Sequence, residues 1–254
     1  ASEYSLVILW STLLYGISGL VTTAMTPMIY NYYSRRDTAG LIKFALFAMK
    51  CMGLFMAPVI GLICLFSSQL FTVWMGSDEF ARLAPLVWIV VSPVIAKVQT
   101  SAISSIGVGY GRVKIPAFYS LFAGILNLYL SLTLPFIFGL GIYGVAIAGA
   151  IAMIFHTGVS APLYTAYIVR VPLFTFLKAI LKGASYFAGF VVVGLLVLTF
   201  LPVNSIFMSI LVGSGLLSGY AVLALTCILS KDEKEMIRSC LPLIISRHIP
   251  TWVL

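Results

Sequence analysis

Four polar residues recur at helical spacing inside an apolar stretch: Lys97, Thr100, Ser101 and Ser104. Such spacing places side chains on one face of an α-helix. An ionisable residue within a membrane span marks a functional site by default, and an ammonium group beside hydroxyls suits an anion. We predict that this face lines a wet cavity and contacts an anionic ligand.

Lys97 also has a structural explanation. A lysine stem can extend along apolar surface while its ammonium group stays in a polar layer. Lys97 could therefore reach the cytoplasmic headgroups, or pair with a residue outside this chain.

A second cationic group recurs every seven residues: Arg36, Lys43 and Lys50. If a helix begins near Arg36, the three side chains form one stripe with small angular drift. The stripe could contact a phosphorylated headgroup at the cytoplasmic mouth. Ordinary anchoring beside anionic lipids is the explanation that we favour, because basic residues are expected there in any case.

The remaining polar and reactive residues indicate no catalytic or metal site. His156 has no second His or carboxylate near it in sequence, so we interpret it as a hydrogen-bonded packing residue. Asn127 is expected to turn inward and bond a neighbouring helix. The four cysteines lack CxxC or metal-ligand spacing. We expect no cofactor and no metal.

The composition identifies the environment that must position these residues. Of 254 residues, 61% are hydrophobic and 9% are charged, and the mean hydropathy is +1.12. Soluble proteins are about 25% charged, and so few charges cannot cover the surface of a soluble domain of this length. Soluble enzymes and nucleic-acid-binding proteins are excluded, and an all-α polytopic membrane protein is predicted.

Segments of about 20 apolar residues can cross a bilayer as helices, and the sequence contains seven. They are expected at Tyr4 to Tyr33, Cys51 to Trp74, Leu83 to Ser105, Ile115 to Phe138, Tyr143 to Val169, Ala179 to Leu201 and Ile206 to Leu229. Because proline removes a backbone donor, Pro27 should kink or end the first span. Pro58, Pro93 and Pro162 should interrupt later spans.

The basic residues predict an orientation in the cell membrane. Of 15 Lys and Arg residues, all but Arg82 and Lys97 fall in alternate connections or in the C-terminal tail. Cytoplasmic loops carry the excess of Lys and Arg, so we expect an external N-terminus and a cytoplasmic C-terminus. The net charge of +8 is therefore mostly a topology signal.

The tail has its own signature. Ser230 and Glu233 form a capping-box pattern, which predicts a new helix. We expect residues 1–230 to form one transmembrane lobe and residues 231–254 to form an interfacial tail on the cytoplasmic side. The sequence starts at Ala1 without Met, and further residues are expected upstream.

Residues 24–76 contain a helix, a basic loop and an apolar helix with Pro58 and Gly61 three apart. Residues 109–154 contain a short Gly and basic loop, a span with Asn127, and glycines at 139, 141 and 144, and residues 229–242 close the pattern. Together these segments resemble polysaccharide-biosynthesis flippases of the multidrug/oligosaccharidyl-lipid/polysaccharide transporter superfamily.

The resemblance implies a lobe of a larger transporter. Members with fourteen helices have both ends in the cytoplasm, so seven spans with an external start match helices eight to fourteen. The implied function is translocation of a pyrophosphate-linked lipid oligosaccharide across the cytoplasmic membrane by alternating access between two lobes. The implied ligand of the Lys97 face is the lipid diphosphate. The implied partners are the bilayer, an anionic lipid-linked glycan, and an N-terminal lobe or partner chain. This is transport without covalent catalysis.

Two other readings stay open. A drug or cation exporter of the same superfamily is disfavoured because no predicted span contains Asp or Glu. A non-transporting seven-helix receptor or scaffold is the second. Retinal proteins need a lysine in the last span, which has none, and receptor DRY and NPxxY sequences are absent.

Overall fold

The computed structural model describes residues 2–201, 205–230 and 233, and its secondary structure is helical. The helices of the first part are α1 Ser2–Ser34, α2 Thr38–Leu65, α3 Ser67–Met75, α4 Ala84–Val91, α5 Val94–Gly109, α6 Lys114–Ile137, α7 Gly141–Met153, α8 Ala161–Ile168 and α9 Phe174–Phe200. A 3₁₀-helix at Asp78–Leu83 precedes α4, and a π-helix at Ile154–Ser160 joins α7 to α8. We call the latter the π-segment.

Seven helical stretches are long and apolar enough to cross a membrane, as the sequence predicts. They are Glu3–Ser34, Thr38–Leu65, Asp78–Gly109, Lys114–Ile137, Gly141–Ile168, Phe174–Phe200 and Ile206–Ile228. The chain is an all-α, polytopic membrane protein. It divides into two compact units, Ala1–Leu201 with six of these stretches and Pro202–Leu254 with the seventh.

Two predicted spans begin too late. The second was expected from Cys51 to Trp74, but α2 runs Thr38–Leu65 and α3 is a separate helix. The Asp37 carboxylate accepts a 2.8 Å hydrogen bond from the Gly40 amide and caps α2 there. The sixth span likewise begins at Phe174 rather than Ala179. Lysine is a good helix former, so a basic cluster in sequence does not mark a loop.

The prolines act in two ways. Pro27 and Pro58 lie inside α1 and α2, which continue to Ser34 and Leu65, so the expectations that Pro27 could end its span and that Pro58 would interrupt the second span are wrong. The break between α4 and α5 falls at Ser92 and Pro93, and the α-helical geometry is lost before Pro162, as predicted. Membrane helices tolerate proline where the freed carbonyl finds another partner.

Three helices of the first unit end with the same backbone turn. After α1, α5 and α8, an amide N–H bonds back to the carbonyl five residues earlier, as in Asp37 to Tyr32, Arg112 to Gly107 and Val171 to Ala166. The preceding residue is left-handed in each case: Arg36 (φ 56°), Gly111 (φ 65°) and Arg170 (φ 57°).

These three helix ends meet at one end of the unit. The rings of Tyr33 and Tyr110 lie 4.8 Å apart, and a Cβ placed on Gly107 would be 4.0 Å from the Ile168 side chain. We call this the basic end, because its connections carry Arg35, Arg36, Arg112 and Arg170.

The first unit is packed around α2, which contacts α9 and α5 extensively. Gln99 of α5 is 0% exposed and sits where the three helices meet. A Cβ on Gly53 would lie 3.1 Å from the Gly183 Cα, and a Cβ on Gly183 would overlap the Gln99 amide. Small residues therefore allow these helices to approach closely, as in other membrane bundles.

Helix α6 is packed differently. Ala123 is its single buried residue, and the helix packs mainly against α7 and, less, against the π-segment. The Asn127 carbonyl accepts a 3.3 Å hydrogen bond from Ser131 of the same helix. The expected bond from Asn127 to a neighbouring helix is thus replaced by one within α6.

The second unit begins its described part with α10 at Ile206–Leu223, followed by a π-helix at Ala224–Ile228. The Ser205 hydroxyl caps α10 by accepting a bond from the Met208 amide at 3.3 Å. The Ser230 amide donates to Glu233 at 2.8 Å and the Glu233 amide donates to Ser230 at 3.3 Å, which confirms the capping box. The rest of the predicted interfacial tail lies outside the described residues.

Candidate functional site

A cavity of about 220 Å³ opens in the first unit between α5, the start of α6, the π-segment and α8. Its walls include all four residues of the predicted polar face: Lys97, Thr100, Ser101 and Ser104. The structure therefore brings this face to a cavity. The remaining polar lining residues are His156, Thr157, Tyr119, Tyr164 and Thr165.

The cavity extends toward the basic end. Gly107, Pro116 and Ile168 also line it, and each lies within two residues of a helix terminus there. At 1.5 Å per residue, Lys97 is about 15 Å deeper along α5 than Gly107. The ammonium group therefore belongs to the deep part of a cleft whose shallow part reaches the arginine-rich connections.

The π-segment that forms one wall follows from its sequence. Pro162 has no amide hydrogen, so in the wider π register the carbonyl of Thr157, five residues earlier, has no intrahelical donor. Thr100 of α5 fills this place: its hydroxyl donates to the Thr157 carbonyl at 2.5 Å. The Ala161 amide bonds to the His156 carbonyl and the Ser160 hydroxyl to the Phe155 carbonyl at 2.9 Å, both five residues back.

Most hydroxyl protons in the cavity are already used. Ser101 donates to the Val98 carbonyl at 2.6 Å, Ser104 to the Ser101 carbonyl at 2.8 Å, and Thr157 to the Met153 carbonyl at 2.8 Å. These oxygens still have acceptor capacity. They can therefore accept hydrogen bonds from water or from sugar hydroxyls. Hydrogen bonds to an anion must come from other groups of the cavity, because these three hydroxyl protons are already donated.

The electrostatic balance of the cavity is positive. No Asp or Glu occurs between Glu79 and Asp232 in the sequence. Among the described acidic residues near the start of the chain, Glu3 pairs with Arg82 and Asp37 caps α2. Within the described residues, Lys97 thus has no carboxylate partner, and a half-buried charge without one favours an anionic ligand.

The second cationic group is not part of this cavity. Arg36 lies in the left-handed turn before Thr38, where α2 begins, so the prediction of one helical stripe with Lys43 and Lys50 is wrong for Arg36. Lys43 is exposed and Lys50 is half-buried, seven residues apart on α2. Arg36 instead lines a separate surface hollow with Tyr32, Tyr33 and Tyr110 at the basic end.

Sequence reasoning missed the cavity position of His156. The imidazole was interpreted as a hydrogen-bonded packing residue, whereas it lines the same cavity as Lys97. The available signal was a polar run with a proline inside an apolar span, HTGVSAP, because π-type irregularities are frequent at functional sites. Within the described residues, no cluster of three metal-ligating side chains occurs.

The chain resembles a bacterial membrane protein along most of its length. Over 239 residues it is 28% identical to "Uncharacterized membrane protein EpsK" of Bacillus subtilis (strain 168). The similarity covers 93% of this chain and 47% of that protein, so the chain spans about half the length of this curated relative. No family model matches the sequence, and no solved structure matches it.

Proposed function

We propose that this chain is the C-terminal half of a flippase that moves a diphosphate-linked oligosaccharide lipid across the cytoplasmic membrane. The observation that carries the proposal is the Lys97 side chain in a cavity inside the membrane-spanning bundle, without a carboxylate partner among the described residues. The resemblance to polysaccharide-biosynthesis flippases supports it, as does the match to a membrane protein about twice as long.

The proposed orientation places the basic end in the cytoplasm, the N-terminus outside and the C-terminus inside. The cleft then opens toward the cytoplasmic leaflet. Arg36, Lys43 and Lys50 attract anionic headgroups near that surface, with an energy of about 1 kcal/mol for each basic residue. They do not contact the substrate within the cleft.

Inside the cleft the side chains have different roles. Lys97 contacts a phosphate, Ser101 and Ser104 accept hydrogen bonds from glycan hydroxyls, and Thr100 holds the π-segment in place. The lipid tail stays in the bilayer while this lobe and an N-terminal lobe, or a partner chain, rock around the polar headgroup. The protein acts as a transporter, not as an enzyme.

A cation exporter is the alternative, and the sign of the cavity charge is against it. Cation recognition inside a membrane relies on Asp or Glu, and neither occurs in the described spans beyond Glu79. No observation in this chain favours a receptor or a scaffold.

Replacement of Lys97 tests the proposed function. In the full-length protein, Lys97→Gln should lower export of the lipid-linked glycan at least about tenfold, because one charge-assisted contact to phosphate is lost. Export is measured as surface glycan in cells with equal amounts of membrane-inserted protein.

Lys182→Gln is the matched control. Lys182 is an exposed lysine of α9 that does not line the cavity, so its replacement removes the same charge and should leave export unchanged. Equal export by both variants and the unaltered protein would remove Lys97 from the mechanism.

A further inference from the structure

We infer that His156 is a second phosphate-binding residue, and that Lys97 and His156 each hold one phosphate of a diphosphate. The inference rests on the proposed function and deepens it, because it specifies which anionic lipid the cavity prefers. A lipid monophosphate presents only one of the two anionic groups.

The packing of α5 against the π-segment brings the two side chains together. Thr100 bonds to the carbonyl of Thr157 at 2.5 Å, and a Cβ on Gly158 would lie 3.7 Å from the Ala96 Cβ. Ala96 and Thr100 flank Lys97 on α5, while Thr157 and Gly158 follow His156 directly. Lys97 and His156 therefore line the same cavity from two adjoining helical segments, α5 and the π-segment.

Both side chains are available to a ligand. The His156 imidazole is half-buried, and it has no hydrogen-bond partner among the described residues. A polar group withdrawn from bulk water without a partner costs free energy that a ligand oxygen can recover. The other polar side chains of the cavity are Tyr119, Tyr164 and the hydroxyl residues, so no described carboxylate competes for the Lys97 ammonium group or the His156 N–H.

The π-segment gives His156 a fixed place. In a continuous α-helix the Thr157 carbonyl would stay within its own turn, whereas here it is tied to α5 one residue from His156. The wide turn therefore places the His156 backbone next to the part of α5 that carries Lys97. Two donors, one on α5 and one on the π-segment, can each contact one of two linked phosphates, whereas a single donor contacts only one of them.

The test uses the full chain in phosphatidylcholine nanodiscs and two probes, geranylgeranyl diphosphate and geranylgeranyl monophosphate. His156→Phe should weaken diphosphate binding at least about tenfold and monophosphate binding less than about threefold, whereas Lys97→Gln should weaken both at least about tenfold. His156→Gln keeps a side-chain N–H and should recover part of the diphosphate affinity.

Val159→Ala is the control for disturbance of the π-segment, because Val159 is exposed and does not line the cavity. It should bind both probes normally. Excess inorganic pyrophosphate should displace the lipid diphosphate, since the linked phosphates are the recognised group. Failure of pyrophosphate to compete would overturn the inference.

The binding measurements distinguish failure of the inference about His156 from failure of the proposed function. If Lys97→Gln weakens both probes and neither His156 variant changes the ratio of their affinities, the inference about His156 is wrong and the proposed function stands. If Lys97→Gln changes neither affinity, the anion site itself is wrong.

Discussion

The two sides of α5 bury polar groups for different purposes. On one side, Lys97 and the hydroxyl residues line a cavity that offers hydroxyl acceptors and the ammonium group of Lys97, which has no carboxylate partner among the described residues. On the other, Gln99 is fully enclosed between Gly53 and Gly183, where its amide nitrogen bonds to the Ile95 carbonyl at 3.1 Å and the Ile180 carbonyl at 3.5 Å. Burial of polarity alone therefore does not identify a binding site; the space around it does.

The Gln99 side shows how a polar group can serve packing. Its side-chain carbonyl oxygen has no hydrogen-bond partner among the described residues, yet the glycines leave room for no ligand there. The Lys97 side has the room and lacks the glycine contacts. Three substitutions sharpen this contrast.

The largest effect is expected at Gly183. Gly183→Ala places a methyl group on the Gln99 amide, and overpacking of this kind costs about 1 to 3 kcal/mol. The change should lower the thermal unfolding midpoint of the detergent-solubilised protein. Combining Gly183→Ala with Gln99→Ala should recover much of the loss, because the two side chains then no longer overlap. An additive double variant would contradict this packing.

An intermediate effect is expected at Thr100, which links the two backbones of the cavity. Thr100→Val removes the donor to the Thr157 carbonyl, at a cost of about 1 kcal/mol, near the upper range for membrane hydrogen bonds. Hydrogen exchange at Ala161 and its neighbours should increase. Thr100→Ser keeps the hydroxyl and should behave normally; equal exchange in all three proteins would argue against the link.

The smallest effect is expected at Gln99. Gln99→Leu removes both the amide donor and the unpartnered oxygen while keeping similar volume, and replacement of a buried polar group by an apolar one of similar shape is nearly neutral. We expect a change of less than about 1 kcal/mol in stability and normal glycan export. Loss of export at normal stability would show that this face also takes part in transport, and would remove the contrast with Lys97.

The sequence was sufficient for the features that depend on local pattern. Apolar length predicted seven spans, helical spacing predicted the shared face of Lys97 and Ser104, and the Ser230 and Glu233 pair predicted a helix start. Each of these follows from residues within a few turns of one another.

Features that depend on tertiary contacts were missed or misplaced. Loops were predicted at the clusters of basic residues, so the predicted second and sixth spans began after the true starts of α2 and α9. Lysines fit the ends of membrane helices, because their long stems carry the charge to the polar layer. The position of His156 depends on Pro162 and on Thr100, which lies 57 residues before the Thr157 carbonyl to which it donates. Nothing in the local sequence shows that Thr100 and Thr157 meet.

Helix α6 carries Pro116 and Tyr119 on one wall of the cavity, yet Ala123 is its single buried residue. Only the attachment to α7 is extensive. A displacement of α6 alone would leave the packing of α5, the π-segment and α8 in place, so the width of the cleft is less constrained than its depth. Under the proposed function, lipid-linked glycans of different breadth, such as linear and branched ones, would then share one phosphate position.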